Sequence, residues 1–236
     1  MRHDNPSYFP ICLSIAGRRC IVIGGGRVGE RKALALLAHG AKVRVISPEL
    51  SRCLAALAEA GQVEWLARAY QPGDLADAFL VIAATDDTAV QEAVHAEAEA
   101  ANLLLNVADV PKWCNFILPA TARRGDLAIS VSTAGKSPAL AKQLRQELEG
   151  RFGPEYAAVL EILGALREVV LAEGRPHAEN KKRFARLADP AMAAWIKAGQ
   201  WEKVRGHLRA VLGPEAPLAC VETVRERYSN QSGTSQ

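Results

Sequence analysis

A glycine-rich turn between an apolar run and a helix-forming stretch is the feature that most constrains how this chain can fold. Residues 24–29 read Gly-Gly-Gly-Arg-Val-Gly and match the pattern G-x-G-x-x-G. In a strand–turn–helix unit, Gly24 allows the tight turn, Gly26 lets a pyrophosphate approach the backbone, and Gly29 lets the helix pack on the strand. We therefore expect a dinucleotide-binding loop, whose residues are Gly24, Gly26, Arg27, Val28 and Gly29.

Short apolar runs alternate with helical stretches through the first half of the chain, which is typical of a parallel α/β sheet. The runs are nearly continuous in apolar residues, as expected for strands that helices cover on both faces. The predicted strands are Cys20–Ile23, Val43–Ile46, Val63–Leu66, Phe79–Ala83 and Leu103–Val107. The predicted helices are Gly29–Ala38, Leu50–Ala60 and Thr88–Ala100. This part is expected to be a Rossmann-like α/β domain.

The pattern changes after residue 111. Residues 115–121 and 127–132 alternate as β-strands do, and residues 123–126, Arg-Arg-Gly-Asp, are typical of a hairpin turn. Ser137 is a favourable N-cap for a helix that we expect to end at Gly150. The chain is helical in spacing from residue 153 onward. Its shorter helices are expected at Asn180–Leu187, Pro190–Lys197 and Trp201–Leu212.

These patterns predict four segments. They are a Rossmann domain over residues 1–113, a small β-hairpin and helix over 114–151, an all-helical domain over 152–214, and a polar tail over 215–236. The tail is expected to be frayed over Ser229–Gln236.

Composition excludes several classes of protein. The 236 residues are 49% hydrophobic and 23% charged, and they contain no apolar run of about 18 residues that could cross a membrane. A net charge of +3 is too small to indicate nucleic-acid binding. The five cysteines are scattered without a C-x-x-C pair, and residues 1–7 do not resemble a secretory signal. We expect a cytoplasmic protein with no nucleic-acid or membrane partner and, because the histidines are also dispersed, no permanent metal site.

The end of the second predicted strand departs from the usual dinucleotide pattern. An acidic residue is expected there to bind the adenosine ribose, but the sequence reads Ser47-Pro48-Glu49. Ser47 or backbone groups would then bind the ribose. Arg44 is a candidate for the 2′-phosphate of NADP, although a solvent-facing strand residue is the favoured interpretation. This site alone leaves NAD and NADP open.

Polar residues also end the fourth and fifth predicted strands, where ligands of open α/β sheets bind. Thr85 follows the fourth strand, and the adjacent Asp86-Asp87 pair is best interpreted as a helix N-cap. Asn106 and Asp109 follow the fifth strand. Because no amphipathic helix follows Asp109, the pattern supports a functional and a turn-forming role equally.

Basic residues are concentrated in the middle of the chain. Residues 112–151 carry seven basic and three acidic side chains, a net charge of +4 that exceeds the surplus of the whole chain. A solvated helix face explains part of this charge, and an acidic ligand would explain its concentration better. The candidate contacts for such a ligand in this segment are Arg123, Arg124 and Lys136.

Several segments taken together resemble the precorrin-2 dehydrogenase/sirohydrochlorin ferrochelatase family, the dehydrogenase and chelatase part of siroheme synthases. The resemblance covers residues 8–150 strongly and the helical remainder in outline. The segments that carry it are Tyr8–Ile11 (YFPI), Cys20–Lys32 (CIVIGGGRVGERK), Ala83–Asp87 (AATDD), Asn106–Pro111 (NVADVP), Phe116–Pro119 (FILP) and Ser130–Pro138 (SVSTAGKSP).

The resemblance implies a homodimer that oxidises precorrin-2 to sirohydrochlorin with NAD. Bifunctional members of the family also insert ferrous iron, so that Fe²⁺ is a substrate of chelation rather than a bound cofactor. The catalytic aspartate of the family falls on Asp109, and a hydroxyl that is commonly serine falls on Thr133. Asn106 is assigned with Thr133 to the tetrapyrrole site. The methyltransferase domain fused to some members is not expected within these 236 residues.

Two alternatives stay open. The chain can be a dehydrogenase without chelatase activity, or a regulator that senses NAD without catalysis. In the second case Asp109 and the basic segment would have no chemical role.

Overall fold

The computed structural model of the protein describes residues 8–232. The chain divides into two compact units between Leu118 and Pro119. The interpretation of residues 1–7 as unlike a secretory signal lies outside the described residues. Of the residues expected to fray, 233–236 also lie outside them, whereas residues 229–232 are part of a helix.

The first unit contains a five-stranded parallel sheet with strand order β3-β2-β1-β4-β5. The order reverses between β1 and β4, which makes this the topological switch point of a doubly wound sheet. The strands are β1 (Arg19–Ile23), β2 (Lys42–Ile46), β3 (Val63–Leu66), β4 (Leu80–Ala83) and β5 (Leu104–Val107). The helices are α1 (Arg27–Leu37), α2 (Arg52–Glu59) and α3 (Thr88–Ala100), and a 3₁₀ turn covers Pro111–Trp113. The predicted Rossmann-like fold is confirmed.

Apolar side chains cover both faces of this sheet. On one face Val22, Val45 and Ile82 pack with residues of α1 and α2, and on the other Val81 and Leu105 pack with residues of α3. All four residues of β4 are buried, which explains why the central strands read as continuous apolar runs in the sequence.

The prediction for the start of the hairpin is wrong. A strand was expected over residues 115–121, but the structure has no strand before Ala120 in this segment. The Asn115 side chain instead accepts a hydrogen bond from Leu105 N–H (2.8 Å) and donates to the Leu103 carbonyl (2.7 Å). Asn115 N–H also donates to the Leu105 carbonyl (3.1 Å). These contacts attach the segment to the edge of β5, which sequence alternation could not indicate.

The second unit begins with an antiparallel hairpin of β6 (Ala120–Arg124) and β7 (Leu127–Val131). Residues 123–126 were predicted as its turn, but Arg123 and Arg124 lie in β6 and only Gly125 and Asp126 connect the strands. Gly125 has φ +56°, as glycine in a two-residue hairpin turn commonly does. Helix α4 (Pro138–Arg151) follows, and the Ser137 hydroxyl caps it by accepting a hydrogen bond from Leu140 N–H (3.2 Å).

The remaining helices form a separate apolar core within the second unit. They are α5 (Glu155–Ala172), α6 (His177–Leu187), α7 (Ala191–Lys197), α8 (Trp201–Leu212) and α9 (Ala219–Ser232). The long α5 packs against α6, α7 and α9, and its Ile162, Leu166 and Val170 are fully buried. No helix among residues 8–232 is long and apolar enough to cross a membrane.

The structure also corrects the prediction of a polar tail over residues 215–236. Residues Ala219–Ser232 form α9, and Val221 and Val224 are buried in the core of the helical domain. Two apolar residues three positions apart among many polar ones give a weak sequence signal, yet they are sufficient to attach one face of the helix.

Candidate functional site

The glycine loop is tightly packed at its first residue. Gly24 has φ +109°, and a Cβ there would lie 2.4 Å from the carbonyl oxygen of Ala84. Its N–H donates to the Ile46 carbonyl (2.9 Å). Only glycine fits this position without strain, so the loop after β1 lies directly against the residues that follow β4.

Gly25 is a constrained residue that the sequence analysis did not single out. A Cβ on Gly25 would lie 2.1 Å from the Glu49 carbonyl oxygen, and the Gly25 carbonyl accepts a hydrogen bond from Ser51 N–H (2.8 Å). The loops after β1 and β2 are therefore in contact here. The available signal was a glycine at the second of three consecutive positions, where the general pattern does not require one.

Gly29 and Gly26 differ in the space that is available for a side chain. A Cβ on Gly29 would lie 2.0 Å from the Gly24 carbonyl oxygen, whereas a Cβ on Gly26 would have no neighbouring heavy atom within 4 Å. Gly26, Arg27 and Val28 are exposed. The open side of the loop thus lies at Gly26, where the sequence predicted the approach of a pyrophosphate.

The start of α1 provides backbone donors at the same place. Gly26 is the N-cap and makes no side-chain cap hydrogen bond, and the first helical bond runs from Glu30 N–H to the Gly26 carbonyl (2.8 Å). The N–H groups of the first turn have no acceptor within the helix and carry its positive dipole end. Together with the space at Gly26, they fit the pyrophosphate of a dinucleotide.

Ser47, Pro48 and Glu49 lie at the end of β2. Ser47 is buried, its N–H donates to the Leu66 carbonyl (3.2 Å), and its carbonyl accepts from Trp65 Nε1 (2.9 Å). Pro48 offers no N–H to a ribose. Of the two side chains beside it, that of Glu49 is exposed and that of Ser47 is buried.

Arg44 forms ion pairs with Glu64 of β3 and with Asp77 in the turn before β4. Its guanidinium lies 2.9 Å from a carboxylate oxygen of Glu64 and 3.2 Å from one of Asp77. Hydrogen bonding to Glu64 raises the pKa of Arg44. The interpretation of Arg44 as a solvent-facing residue is wrong, because its side chain is only 16% exposed. Arg44 was also the candidate for binding a 2′-phosphate, but its guanidinium is already paired with the two carboxylates.

Thr85 follows β4 beside the glycine loop. Its hydroxyl accepts a hydrogen bond from Asp87 N–H (3.2 Å), and its carbonyl accepts one from the Gln91 side chain (2.6 Å). Asp87 caps α3 by accepting from Ala89 N–H (2.9 Å) and Val90 N–H (3.1 Å), which confirms the expected N-cap.

Side-chain hydrogen bonds hold the segment after β5. Asn106 donates to the Phe116 carbonyl (3.1 Å). The Cys114 thiol accepts from Val107 N–H (3.2 Å) and donates to the Val107 carbonyl (3.3 Å). Burial raises the pKa of Cys114, so this thiol is a structural clamp at neutral pH rather than a nucleophile.

Asp109 lies in the turn that this clamp closes. Val110 N–H donates to the Val107 carbonyl (3.4 Å), and Asp109, the third residue of the turn, has φ +60°. Asp and Asn tolerate this conformation better than other residues with a Cβ. The side chain of Asp109 is exposed. The turn-forming interpretation is therefore correct for the backbone, while the carboxylate stays available for chemistry.

The sheet brings the candidate residues of the first unit to one edge. Strand β4 pairs with β1 on one side and β5 on the other, and Ala108 N–H donates to the Ala83 carbonyl (2.8 Å). Since neighbouring strands are about 4.8 Å apart, the loops after β1 and β5 are separated by about 10 Å. The glycine loop, Thr85 and Asp109 therefore border the same carboxyl edge.

The arginines of the second unit point to opposite faces of the hairpin. Arg123 is exposed, whereas Arg124 donates to the Glu149 carbonyl (2.8 Å) near the end of α4. Adjacent residues of a strand alternate between faces, so these two do not form one cationic pair. Arg124 has a structural role at the carboxyl end of α4.

Thr133 and Lys136 lie in the turn that precedes α4. The Thr133 hydroxyl accepts from Ser137 N–H (3.2 Å), and its carbonyl accepts from Lys136 N–H (2.9 Å). Lys136 is exposed. The predicted contacts Thr133 and Lys136 are thus neighbours in one loop, while Arg123 belongs to the hairpin.

Two protein families match two different parts of the chain. Residues 11–120 match a family described as putative NAD(P)-binding, and residues 124–151 match a family described as the central part of a sirohaem biosynthesis protein. An open glycine loop at the switch point of a parallel sheet defines the first unit as a dinucleotide-binding α/β protein.

Relatives of known name cover most of the chain. Siroheme synthase 1 of Pectobacterium atrosepticum is 36% identical over 206 residues, which are 87% of this chain and 43% of that protein. The siroheme synthase of Photorhabdus laumondii is 39% identical over 87% of this chain and 44% of its own length. The chain spans less than half the length of these relatives. Over this part the chain is similar to siroheme synthases, which agrees with the resemblance that the sequence motifs indicated.

A solved structure shares the fold. The protein titled SirC, precorrin-2 dehydrogenase, superposes with a TM-score of 0.75 at 24% identity, covering 86% of this chain and 98% of that one. The likeness at this identity supports the architecture of the chain.

Proposed function

We propose that this protein oxidises precorrin-2 to sirohydrochlorin with NAD. The observation that carries the proposal is the position of Asp109 at the same sheet edge as the open glycine loop. Support also comes from the siroheme synthase relatives and from the name of the structural neighbour, a precorrin-2 dehydrogenase.

The cofactor is proposed to bind across the carboxyl edge of the sheet. Gly26 and the first N–H groups of α1 would hold the pyrophosphate, and Ser47 and Glu49 the adenosine ribose. NAD is favoured over NADP because Glu64 and Asp77 already engage Arg44. When bound, NAD supplies the acceptor for the hydride that leaves the substrate.

Asp109 is proposed as the general base. Oxidation of the macrocycle releases a proton together with the hydride, and an exposed carboxylate at the sheet edge can accept that proton. The turn around Asp109, closed by the Cys114 thiol, fixes the backbone from which the carboxylate extends.

Recognition of the substrate is proposed to be electrostatic. Precorrin-2 carries eight carboxylates, and residues 112–151 have a net charge of +4. Arg123 and Lys136 are exposed and suited to such contacts. Thr133 and, separately, Asn106 are proposed as tetrapyrrole contacts on the resemblance alone, whereas Arg124 supports the end of α4.

The protein is proposed to act as a homodimer. The hairpin of β6 and β7 buries only Ala122, and a two-stranded hairpin is marginal on its own. On α4, which buries only Ala141, Leu140 is 46% exposed. A partner covering these apolar residues would stabilise the segment.

A cytoplasmic location is proposed on the state of the cysteines. All five are free, as expected in a reducing compartment.

The test of the reaction uses the purified protein with precorrin-2 and NAD, followed by Fe²⁺. Formation of NADH with the absorption spectrum of sirohydrochlorin would support the dehydrogenase. A later change to the spectrum of siroheme would show chelation, and its absence above the spontaneous rate would leave the dehydrogenase alone. NAD binding without NADH formation would instead support a sensor.

The role of Asp109 is tested by Asp109→Asn, with Asp109→Gly as a matched variant. Both residues adopt positive φ, so the turn should persist while the carboxylate is lost. The dehydrogenase rate should fall by about 10²–10⁴-fold in both variants, with NAD affinity retained. Unchanged rates would show that Asp109 only forms the turn. A fall in chelation alone would show that solvent accepts the proton.

The assembly is tested by light scattering at micromolar concentration. The wild type should be a dimer, and Leu140→Glu should shift it towards the monomer because a charge would enter the apolar contact. A monomeric wild type would contradict the proposal.

A further inference from the structure

Trp65 is an exposed aromatic residue at the carboxyl edge of the sheet. It is the third residue of the edge strand β3 and is 40% exposed. Its indole Nε1 donates to the Ser47 carbonyl (2.9 Å), directly after the neighbouring parallel strand β2. This hydrogen bond holds the indole at the end of β2, on the side of the sheet where the adenosine half of the cofactor is proposed to bind.

The backbone next to the indole offers few hydrogen-bonding groups to a ligand. Ser47 N–H donates to the Leu66 carbonyl (3.2 Å), and the Ser47 carbonyl already accepts from Trp65. Pro48 has no N–H. Serine stands where an acidic residue usually binds the ribose, and its side chain is buried, so that Glu49 provides the exposed polar side chain. An aromatic face is therefore the larger contact available to adenosine at this place.

Hydrogen bonds between loops connect this place to the glycine loop. Gly24 N–H donates to the Ile46 carbonyl (2.9 Å), and Ser51 N–H donates to the Gly25 carbonyl (2.8 Å). Since neighbouring strands are about 4.8 Å apart, the ends of β1 and β3 are separated by about 10 Å, with β2 between them. A dinucleotide with its pyrophosphate at Gly26 has its adenosine on the β2 side, which is the side that carries the indole.

We infer that the Trp65 indole is the surface on which the adenine of the cofactor stacks, an assignment that rests on the proposed function for the identity of the cofactor. Stacking on the indole supplies affinity that an acidic residue at the end of β2 would otherwise provide. Aromatic side chains stack on any base, and loss of one such contact lowers affinity by about 5- to 150-fold. Trp65 lies outside the glycine pattern, so the sequence motifs did not indicate it.

The contact is tested by calorimetric titration with ADP, which contains the adenine, the ribose and the pyrophosphate but no nicotinamide. Trp65→Leu keeps an apolar side chain and removes the ring, so its affinity for ADP should fall by about 5- to 150-fold. Trp65→Phe should keep most of the affinity, because its ring can still stack. The control is Leu34→Ala, at a residue of α1 that is 39% exposed, and it should bind ADP as the wild type does. Equal affinity in the wild type and in Trp65→Leu would overturn the inference.

A second measurement uses the fluorescence of the indole itself. Stacking of the adenine should quench Trp65, so that ADP lowers the emission of the wild type. In Trp65→Phe the three other tryptophans remain, and the quench should disappear. A quench of the same size in Trp65→Phe would place the adenine elsewhere and overturn the inference. This measurement decides the matter if Trp65→Leu fails to fold.

The outcomes separate this inference from the proposed function. Loss of ADP affinity in Trp65→Leu, in a protein that forms no NADH with precorrin-2, would support the stacking surface and refute the dehydrogenase. Formation of NADH together with equal ADP affinity in the wild type and Trp65→Leu would support the dehydrogenase and refute the stacking surface.

Discussion

Replacing the loop glycines one at a time separates their structural roles from their role in binding. Gly26 has φ −78° and ψ −171°, and an added Cβ would meet no heavy atom within 4 Å. Gly26→Ala should therefore keep the free energy of unfolding or raise it by about 0.4–1 kcal/mol, since alanine restricts the unfolded chain. In Gly29→Ala the Cβ would lie 2.0 Å from a backbone oxygen, and a loss of about 3 kcal/mol is expected.

The binding effect follows from charge. In Gly26→Asp a carboxylate stands where the pyrophosphate is proposed to lie. Two like charges about 4 Å apart repel by about 1 kcal/mol in water and about 4 kcal/mol at an effective dielectric constant of 20. The affinity for NAD should thus fall by roughly 5-fold to 10³-fold, before the steric effect of the side chain is added.

Two measurements check this reasoning. Urea unfolding gives the free energies of the three variants, and calorimetric titration with NAD gives the affinities. Unchanged NAD affinity in Gly26→Asp would refute the position of the pyrophosphate. A loss of stability in Gly26→Ala equal to that in Gly29→Ala would refute the difference in packing.

Three further predictions concern stability. Leu166→Ala in the core of α5 should cost about 2–5 kcal/mol in urea unfolding, whereas Leu171→Ala, at a residue that is 49% exposed, should cost less than about 0.5 kcal/mol; equal losses would contradict the helical core. Glu97 accepts hydrogen bonds from the Tyr70 hydroxyl and from two backbone N–H groups of the loop before β4. Glu97→Ala should therefore lower the free energy of unfolding by about 2–3 kcal/mol, and Tyr70→Phe by about 1 kcal/mol. The reverse order would contradict this network. Arg183 and Arg175 lower the pKa of Glu173 from 4.5 to about 2. The salt bridges of Glu173 therefore stabilise the fold above pH 4.5 and are lost as the pH falls towards 2. The difference in Tm between the wild type and Glu173→Gln, followed by circular dichroism, should shrink on acidification, and a constant difference would contradict the assignment.

Much of the first unit could be predicted from the sequence because local and tertiary preferences agree there. Helix α3 has the predicted bounds, since Asp87 provides a strong N-cap. The segment after β5 could not be predicted, because Asn115 pairs with the edge of β5 through its side chain. Helix α9 was missed because its attachment depends on two valines among polar residues.

Part of the candidate site could also be predicted from the sequence. The sequence pattern located the open position at Gly26, because the strand–turn–helix unit defines its geometry locally. The role of Arg124 depends on a carbonyl of α4 that lies 25 residues away along the chain.

The positive φ at Asp109 has a consequence for how this family can diverge. A residue at φ +60° is restricted mainly to glycine, asparagine and aspartate, and most other side chains cost about 1–2 kcal/mol there. If Asp109 is the general base, as proposed, a descendant that loses proton transfer is expected to replace Asp109 by asparagine or glycine while keeping the turn and the dinucleotide loop. Such a protein would retain NAD binding and become a receptor of the cofactor. Under the proposed role of Asp109, the identity of this one residue would distinguish catalytic sequences from non-catalytic binders.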